Sequence, residues 1–336
     1  MQLREFGRTG LKVSPITLGS WPMSGDRYGP IDDSEAVRTI RSALDHGITS
    51  FDTAPAYGGG HAEETLGAAL AGRRDEAVVI TKCGIARRSP DGPPGRNASR
   101  AGILREIDDS LRRLRMDHVD VYLVHWPDPD TPLEETMGVL DELQRAGKTR
   151  LIGVSNFSVE LMEECRRYRP LDVLQVGYNL FDRRQEGEVF PYCQQHGIGV
   201  MAYGSLAYGL LTGAFAEDTT FEPSDWRAGG VAFGQPILRG DNFRHNVRLV
   251  NRLRDEVARP LGLSVAQLAL AWGLRNQAVT TAMVGARVPK EIEENIGAAE
   301  VTLSDADAGR IEALMAEAAG QVNVFRPFGA AMEVWS

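Results

Sequence analysis

Eight short runs rich in β-branched residues alternate along this chain with amphipathic stretches, and this alternation limits its possible folds more than any other feature. Each run except the seventh is followed closely by a predicted helix. A strand–helix alternation of this kind indicates parallel strands joined by right-handed crossover connections. The predicted strands are Ile16–Gly19, Thr49–Asp52, Val78–Lys82, Val119–His125, Leu151–Ser155, Val173–Val176, Gly199–Tyr203 and Thr281–Val284.

Helical periodicity and capping signals support the predicted alternation. Val37, Ile40 and Leu44 recur at the spacing of one helix face before Gly47, which is a predicted C-cap. The segment Ser264–Gln267 has the pattern of a capping box at the start of a later helix. These signals indicate that the stretches between the strands are helices.

We interpret the chain as an α/β protein: a (β/α)8 TIM barrel with an N-terminal β-hairpin and a long loop after the seventh strand. An open doubly wound sheet is the rival architecture, but it would gather its functional residues at one switch point. Here polar residues follow most strands at their C-terminal ends, as in a barrel. Gln2–Phe6 and Leu11–Ser14 predict the hairpin, and residues 204–241, with aromatic residues among Gly and Pro, predict a lid. No linker or composition break occurs, so residues 1–336 are expected to form a single domain.

Three predicted strands end in a charged or titratable residue: Asp52, Lys82 and His125. An unpaired buried ion costs several kcal/mol, so these three endings imply a common site where the charges meet. Tyr57, in the loop after Asp52, completes a set suited to proton delivery. A phenol has a free pKa of about 10, and a nearby lysine cation stabilises the phenolate. Asp52 would hold Lys82 in place, and His125 would orient a substrate oxygen or act as a second acid.

Composition argues against several classes of partner. The net charge of −9, from 46 acidic and 37 basic residues, lacks the basic face that nucleic acids or anionic membranes require. No stretch approaches the length of an apolar membrane span, and the N-terminus has no apolar signal region. The three cysteines match neither a disulfide framework nor a zinc motif, and no metal is expected. We therefore expect a cytoplasmic protein.

Five segments resemble, in the same order along the chain, those of the aldo-keto reductase superfamily. The resemblance is to its bacterial type, related to the potassium-channel β-subunit-like branch. It implies a (β/α)8 barrel that binds NAD(P)H without a dinucleotide-fold glycine motif, and no G-x-G-x-x-G follows a strand here. The implied reaction is reversible reduction of an aldehyde or ketone, in which Tyr57 is the general acid/base. Lys82 and Asp52 would tune the phenol, and His125 would position the carbonyl. The segments are Phe51–Ala54 with Tyr57–Gly58, Gly60–Gly67, Ile80–Lys82, Val124–Pro127 and Ile152–Phe157.

The resemblance also assigns residues to the cofactor. Ser155, Asn156 and Gln175 match residues that hold the nicotinamide carboxamide, and Tyr203 matches the aromatic residue that stacks on the nicotinamide ring. The segment 205–213 resembles a loop over the pyrophosphate, and the segment 285–295 resembles one that binds the adenosine end. Their matched residues are Ser205, Leu206, Gly209, Leu211, Gly285, Arg287, Glu294 and Asn295.

The adenosine end departs from the superfamily at one position. Glu291 stands where many members have an arginine, and a carboxylate there would repel a 2′-phosphate. Arg287 can pair with such a phosphate bidentately, and Lys290 adds a second cation. NADPH is therefore the expected cofactor, with NADH as the alternative.

Trp21, Tyr28 and Trp126 lie in or beside predicted loops at strand ends and are expected to line the pocket of a small carbonyl or polyol substrate. Two other functions stay open. Lys82 could form the Schiff base of a class I aldolase. Alternatively, the chain could be a nucleotide-sensing subunit of a membrane channel with little turnover. The C-terminal Phe325–Phe328 and Trp335 are expected to cover the barrel mouth, pack beneath it or join a neighbouring subunit.

Overall fold

The computed structural model describes residues 1–87 and 94–322 of the 336-residue chain. Eight parallel strands close into a barrel in which each strand pairs with its neighbours in the sequence and the eighth pairs with the first. The predicted (β/α)8 barrel is confirmed, and the rival open sheet is wrong because the two edges meet. The strands are β1 (Ile16–Gly19), β2 (Ser50–Asp52), β3 (Val78–Cys83), β4 (Val119–Val124), β5 (Thr149–Ser155), β6 (Val173–Gly177), β7 (Gly199–Tyr203) and β8 (Val279–Gly285).

The predicted strand boundaries are correct for β1 and β7 and differ by one or two residues elsewhere. β5 begins earlier than predicted because Thr149 is buried and continues the pairing of β5 with β4. β8 begins earlier for the same reason, since Val279 pairs with β7. His125 lies one residue beyond β4, where its backbone N–H donates to the Cys83 carbonyl at 2.8 Å. It is therefore a loop residue at the barrel mouth.

Ten α-helices occur among the described residues, and five of them begin after a residue whose side chain caps the helix. The predicted capping box is confirmed, because Ser264 Oγ accepts from the Gln267 N–H and Gln267 Oε1 accepts from the Ser264 N–H, each at 3.1 Å. Gly47 lies one residue beyond the C-cap, His46, with φ of +85°, which glycine adopts readily. The helices are α1 (Asp33–Asp45), α2 (His61–Ala69), α3 (Arg100–Leu114), α4 (Leu133–Arg145), α5 (Val159–Tyr168), α6 (Val189–His196), α7 (Gly240–Leu253), α8 (Val265–Arg275), α9 (Pro289–Ile296) and α10 (Asp305–Met315).

The N-terminal hairpin closes the barrel at the end opposite the mouth. Its strands, Arg4–Glu5 and Lys12–Val13, are shorter than predicted but pair antiparallel as expected. Phe6 has no exposed surface and belongs to the apolar cluster inside the barrel. A Cβ at Gly199 would lie 2.3 Å from the Phe6 ring, so glycine at the start of β7 makes room for this plug.

The long loop after β7 is present, and we call residues 204–239 the lid, because α7 begins at Gly240. The lid contains three short 3₁₀ turns, Ala207–Thr212, Trp226–Gly229 and Pro236–Leu238. Two of its aromatic side chains pack on tryptophans at the barrel mouth. Trp226 stacks on Trp21 with ring centroids 5.5 Å apart, and Phe233 stacks on Trp126 at 6.4 Å.

Outside the barrel, the described part of the structure contains one further small sheet, and its helices can be compared with those that span membranes. A small antiparallel sheet that was not predicted, Ile85–Arg87 with Pro94–Arg96, follows β3. No single helix within residues 1–87 and 94–322 is long and apolar enough to cross a membrane; only the bent pair Gly240–Leu261 and Val265–Arg275 meets that test, taken together. The C-terminal residues Phe325–Phe328 and Trp335 lie outside the described part of the chain.

Candidate active site

The Lys82 ammonium group is the centre of a buried hydrogen-bond cluster at the barrel mouth. Lys82 Nζ donates to Asp52 Oδ2 at 2.6 Å, to the Thr53 carbonyl at 2.9 Å and to the Tyr57 hydroxyl at 3.2 Å. Asp52 ends β2, and Lys82 lies one residue before the end of β3. Because β2 and β3 are adjacent in the barrel, the two charges meet, as the sequence predicts.

Tyr57 is directed to this cluster by a turn of three glycines. Gly58, Gly59 and Gly60 all have positive φ, between 60° and 102°. A Cβ at Gly58 would lie 2.4 Å from the Ser24 carbonyl, so the turn depends on glycine. The phenol that this turn presents to Lys82 is 7% exposed.

The pKa of Tyr57 is raised well above 10, first by burial and then by the Asp52 carboxylate. The cost of burying a phenolate is the larger effect on this pKa. The Lys82 cation, 3.2 Å from the hydroxyl, makes ionisation less costly than it would otherwise be. Tyr57 is thus protonated at neutral pH and has a cation beside it.

Burial also acts on both members of the Asp52–Lys82 ion pair. It raises the pKa of Asp52 and lowers that of Lys82, and the attraction between the two groups opposes both shifts. Gln175 Nε2 donates to Asp52 Oδ1 at 2.8 Å, so each carboxylate oxygen accepts a hydrogen bond. Such bonds favour the charged carboxylate. The Asp52–Lys82 pair is therefore ionised.

The His125 ring stands edge-on to Tyr57, with centroids 5.8 Å apart and planes at 84°. Burial, and then the charge of Lys82, lowers the pKa of His125 well below 6.5. The imidazole is therefore neutral at pH 7. A neutral ring can orient an oxygen through a hydrogen bond, which favours this role over that of a second acid.

Ser155, the last residue of β5, pairs with Gln175 in β6, and Asn156 follows Ser155. Asn156 has φ of +64°, a conformation that asparagine tolerates better than most residues. Its Nδ2 donates to Ser155 Oγ at 3.0 Å, and its Oδ1 accepts from the Tyr203 hydroxyl at 2.8 Å. This part of the site therefore offers hydroxyl and amide groups beside a fixed aromatic ring.

Charged residues occupy the other end of the site, after β8. The Arg287 guanidinium donates to the Tyr28 carbonyl at 3.0 Å and to the Pro30 carbonyl. The backbone N–H of Arg287 donates to Glu291 Oε2 at 2.7 Å. The Arg287 cation, which main-chain carbonyls hold in place, therefore lies next to the Glu291 carboxylate.

A cavity of about 460 Å³ joins these two ends. Lys82 does not line it, because it is buried beneath Tyr57, and Leu211 does not, because it has no exposed surface. The remaining predicted residues share one cavity wall. They are Asp52, Tyr57, His125, Ser155, Asn156, Gln175, Tyr203, Ser205, Leu206, Gly209, Gly285, Arg287, Glu294, Asn295, Trp21, Tyr28 and Trp126.

Sequence reasoning missed several lid residues that also line the cavity, among them Tyr208, Arg227 and Phe233. The Phe233 ring contacts five other aromatic rings, those of Trp21, Trp126, Tyr203, Tyr208 and Trp226, with centroid distances between 5.3 and 6.4 Å. Arg227 is paired with Asp225 at 2.6 Å. The concentration of aromatic residues in a Gly- and Pro-containing loop was the available signal, and it indicated a lid without showing which side chains face inward.

The donor set fits a nicotinamide dinucleotide. Hydroxyl and amide groups with a flat ring lie beside Tyr57 and His125, and a guanidinium lies at the other end of the same cavity. No group of three or more His, Cys, Asp or Glu side chains suited to a metal ion occurs in residues 1–87 and 94–322.

Comparisons with known proteins agree with this geometry. A model described as "Aldo/keto reductase family" matches residues 15–316. The chain is 42% identical over 295 residues to Aldo-keto reductase YhdN of Bacillus subtilis, covering 87% of each protein. It is 35% identical over 322 residues to the NADH-specific methylglyoxal reductase of Escherichia coli, covering 92% of this chain and 96% of that protein. The structure of the glycerol dehydrogenase AKR11B4 from Gluconobacter oxydans superposes with a TM-score of 0.86 at 36% identity, over 95% of this chain and 97% of that one.

Proposed function

Because this chain belongs to the aldo/keto reductase family, we propose that Tyr57 donates the proton in its reaction. Membership makes the protein an oxidoreductase that reduces aldehydes or ketones with a nicotinamide cofactor. When bound, the reduced nicotinamide supplies the hydride. The observation that carries the proposal is the 3.2 Å contact between the Tyr57 hydroxyl and Lys82 Nζ within a buried site.

The proposed proton transfer uses four side chains. As the carbonyl is reduced, negative charge develops on its oxygen, the Tyr57 O–H bond breaks and the alcohol O–H bond forms. The phenolate that remains lies beside the Lys82 ammonium, which stabilises it. Asp52 keeps Lys82 charged and in position. The neutral His125 ring orients the same substrate oxygen by a hydrogen bond. In alcohol oxidation the phenolate acts as the base.

Replacing Tyr57 by phenylalanine tests this role, because it removes only the hydroxyl. General acid catalysis contributes about 10²- to 10⁴-fold, so we expect Tyr57→Phe to lower kcat by at least about a hundredfold. Binding of the cofactor, measured by quenching of tryptophan fluorescence, should persist. Tyr122→Phe is the matched control, since Tyr122 is a fully buried tyrosine outside the cavity. Turnover of Tyr57→Phe at the rate of this control would show that the assignment is wrong.

The aldolase alternative conflicts with the environment of Lys82. A Schiff base requires a neutral amine that a substrate carbonyl can reach. Lys82 Nζ is instead hydrogen-bonded to Asp52, Thr53 and Tyr57, and its side chain is 0% exposed. Borohydride in the presence of a carbonyl substrate should therefore leave Lys82 unmodified.

For the choice of cofactor, we propose NADPH in preference to NADH. The Arg287 guanidinium lies at the cavity wall, where two carbonyls hold it, and this suits a 2′-phosphate. Glu291 opposes this preference, and one relative is NADH-specific. We therefore expect NADPH to bind more tightly by no more than about tenfold, or about 1.4 kcal/mol. Tighter binding of NADH, in a titration that follows fluorescence quenching, would contradict the proposal.

We also propose that residues 1–336 act as one cytoplasmic domain on a small carbonyl compound or polyol, without a nucleic-acid or membrane partner. The net charge of −9 supports the absence of polyanionic partners. Trp21, Tyr28 and Trp126 line the cavity and are the proposed substrate contacts. A screen of NADPH oxidation across aldehydes, ketones, keto sugars and quinones, with polyols in the reverse direction, identifies the substrate class.

A further inference from the structure

We propose that Arg184 holds the lid closed over the cavity and thereby controls how fast a bound cofactor leaves. Arg184 belongs to the loop after β6, residues 178–188, and it does not line the cavity. It is therefore a positioning residue that acts through the lid. The inference rests on the proposed cofactor site, but the closure of the lid can be measured without any cofactor.

The loop after β6 contacts the lid at two places far apart in its sequence. Asn179 Nδ2 donates to the Gly204 carbonyl at 2.9 Å, where the lid begins. Arg184 Nη2 donates to the Phe233 carbonyl at 3.2 Å, near the end of the lid. The side chains of Asn179 and Arg184 are buried, so water competes poorly for these two bonds. The loop after β6 thus contacts the lid near both of its ends.

Asp182 fixes the orientation of Arg184. Arg184 Nε donates to Asp182 Oδ1 at 2.7 Å, and Nη2 donates to Oδ2 at 2.6 Å. This bidentate pairing sets the plane of the guanidinium. Asp182 is itself 3% exposed and is tied to Asn179 by two backbone hydrogen bonds of 3.0 Å. The guanidinium that reaches the Phe233 carbonyl is therefore held in place by bonds within its own loop, which do not involve the lid.

The lid residue that Arg184 holds lies in a strained turn. Ala232 and Gln235 exchange backbone hydrogen bonds of 2.8 and 2.9 Å, and between them Phe233 has φ of +48° and Gly234 has φ of +82°. Positive φ at both central residues is typical of a type I′ turn and is unfavourable for a bulky side chain. Such strain persists only where the surroundings stabilise it. The Arg184 bond supplies part of that stabilisation.

Packing of the Phe233 ring also stabilises the turn and links it to the cavity. It is 6% exposed and packs on Tyr208 and Tyr203, with centroid distances of 5.3 and 5.4 Å. Tyr203 is the proposed platform for the nicotinamide ring. A molecule on that platform leaves when Phe233 moves away, so loss of the Arg184 bond shifts the lid towards its open state.

Two substitutions test the proposal, and a third is the matched control. Arg184→Met removes the bond to Phe233 together with the ion pair. Arg184→Lys keeps a positive charge beside Asp182 but lacks the planar fork that makes all three contacts, so it remains informative if the methionine variant does not fold. Arg74→Met breaks another arginine pair, that with the buried Asp120 at 2.7 Å, before β3 at the opposite end of the barrel.

Hydrogen exchange of the cofactor-free protein measures lid closure directly. We expect the amides of Ala232 and Gln235 to exchange about tenfold faster in both Arg184 variants and at the wild-type rate in Arg74→Met. We also expect NADPH to leave both Arg184 variants about tenfold faster in stopped-flow displacement, while Arg74→Met lowers only the stability to urea. Wild-type exchange and wild-type NADPH release in a folded Arg184 variant would overturn the proposal. Failure of the wild-type protein to bind NADPH or NADH would instead overturn the proposed function. The hydrogen-exchange rates of the Ala232 and Gln235 amides would then decide whether Arg184 holds the lid closed.

Discussion

Replacing Lys82 by methionine removes the cation from the site and keeps a side chain of similar length in a fully buried position. Lys82 Nζ lies 3.2 Å from the Tyr57 oxygen. At an effective dielectric constant of about 20, two unit charges at that distance interact by about 5 kcal/mol. This energy corresponds to almost four pKa units of the phenol. The phenolate left after proton transfer becomes less favourable by up to this amount.

We expect Lys82→Met to lower kcat for carbonyl reduction by about a thousandfold, somewhat less than the full Coulomb energy allows. The pH dependence of alcohol oxidation gives a second test. Without the cation, the pKa of Tyr57, which burial already raises, rises further. The phenolate base then forms only at higher pH, so the rising limb of the kcat profile for oxidation should move to higher pH.

The stability of this variant needs its own control, because Asp52 remains buried without its cation. Removing one partner of a buried pair costs about 3–5 kcal/mol. The double variant Asp52→Asn with Lys82→Met removes the unpaired charge, and we expect it to recover stability to urea without recovering kcat. A Lys82→Met enzyme that keeps kcat within tenfold of wild type at every pH would refute the electrostatic role of Lys82.

Three further predictions concern other parts of the chain. Glu291→Gln removes the carboxylate beside Arg287. It should lower the Kd of NADPH about two- to fivefold, as expected for an exposed charge, and leave the Kd of NADH unchanged. Weaker NADPH binding in a fluorescence titration would contradict this prediction. Burial raises the pKa of Glu106 to about 7, above its unfolded value of about 4.3. Between roughly pH 4.3 and pH 7, the folded protein binds more protons than the unfolded chain, so its stability falls as the pH rises. Glu106→Gln should flatten this loss in urea unfolding measured from pH 5 to 7, and an unchanged slope would assign it to other groups. Phe6→Ala empties the plug of the barrel and should cost about 3–5 kcal/mol of stability with kcat retained; a large fall in kcat in the folded variant would contradict the separation of plug and site.

The barrel and the centre of the site could be predicted because both depend on local patterns with strong physical causes. Barrel strands are buried on both faces, so they appear in the sequence as short β-branched runs. For the strand Gly199–Tyr203, both the first and the last residue are as predicted. Parallel strands place all their C-terminal ends at one rim, so Asp52 and Lys82 at strand ends indicated a shared site. The chemistry of a buried pair then required the two residues to meet.

Other features depend on the tertiary structure and leave no periodic signal. Asp182 and Arg184 are two residues apart in a loop, and only the folded lid brings the Phe233 carbonyl to Arg184. The direction of the pKa shift of Tyr57 depends on how deeply the phenol is buried, which the sequence does not give. Leu211 matched a loop pattern, but its side chain turns into the core instead of the cavity.

The hydrogen bond from Gln175 to Asp52 joins two halves of the polypeptide that carry different tasks. Every group proposed to transfer or orient the proton comes from β2 to β4 and the loops that follow them. The groups proposed to bind the dinucleotide lie in β5 to β8 or in the segments that follow them. Natural variation or laboratory recombination can therefore exchange the second half of the barrel. Such an exchange would change which dinucleotide binds and leave the proton donor, Tyr57, unchanged. The exchange keeps the hydrogen bond to Asp52 Oδ1 only if the incoming half places a donor where Gln175 stands.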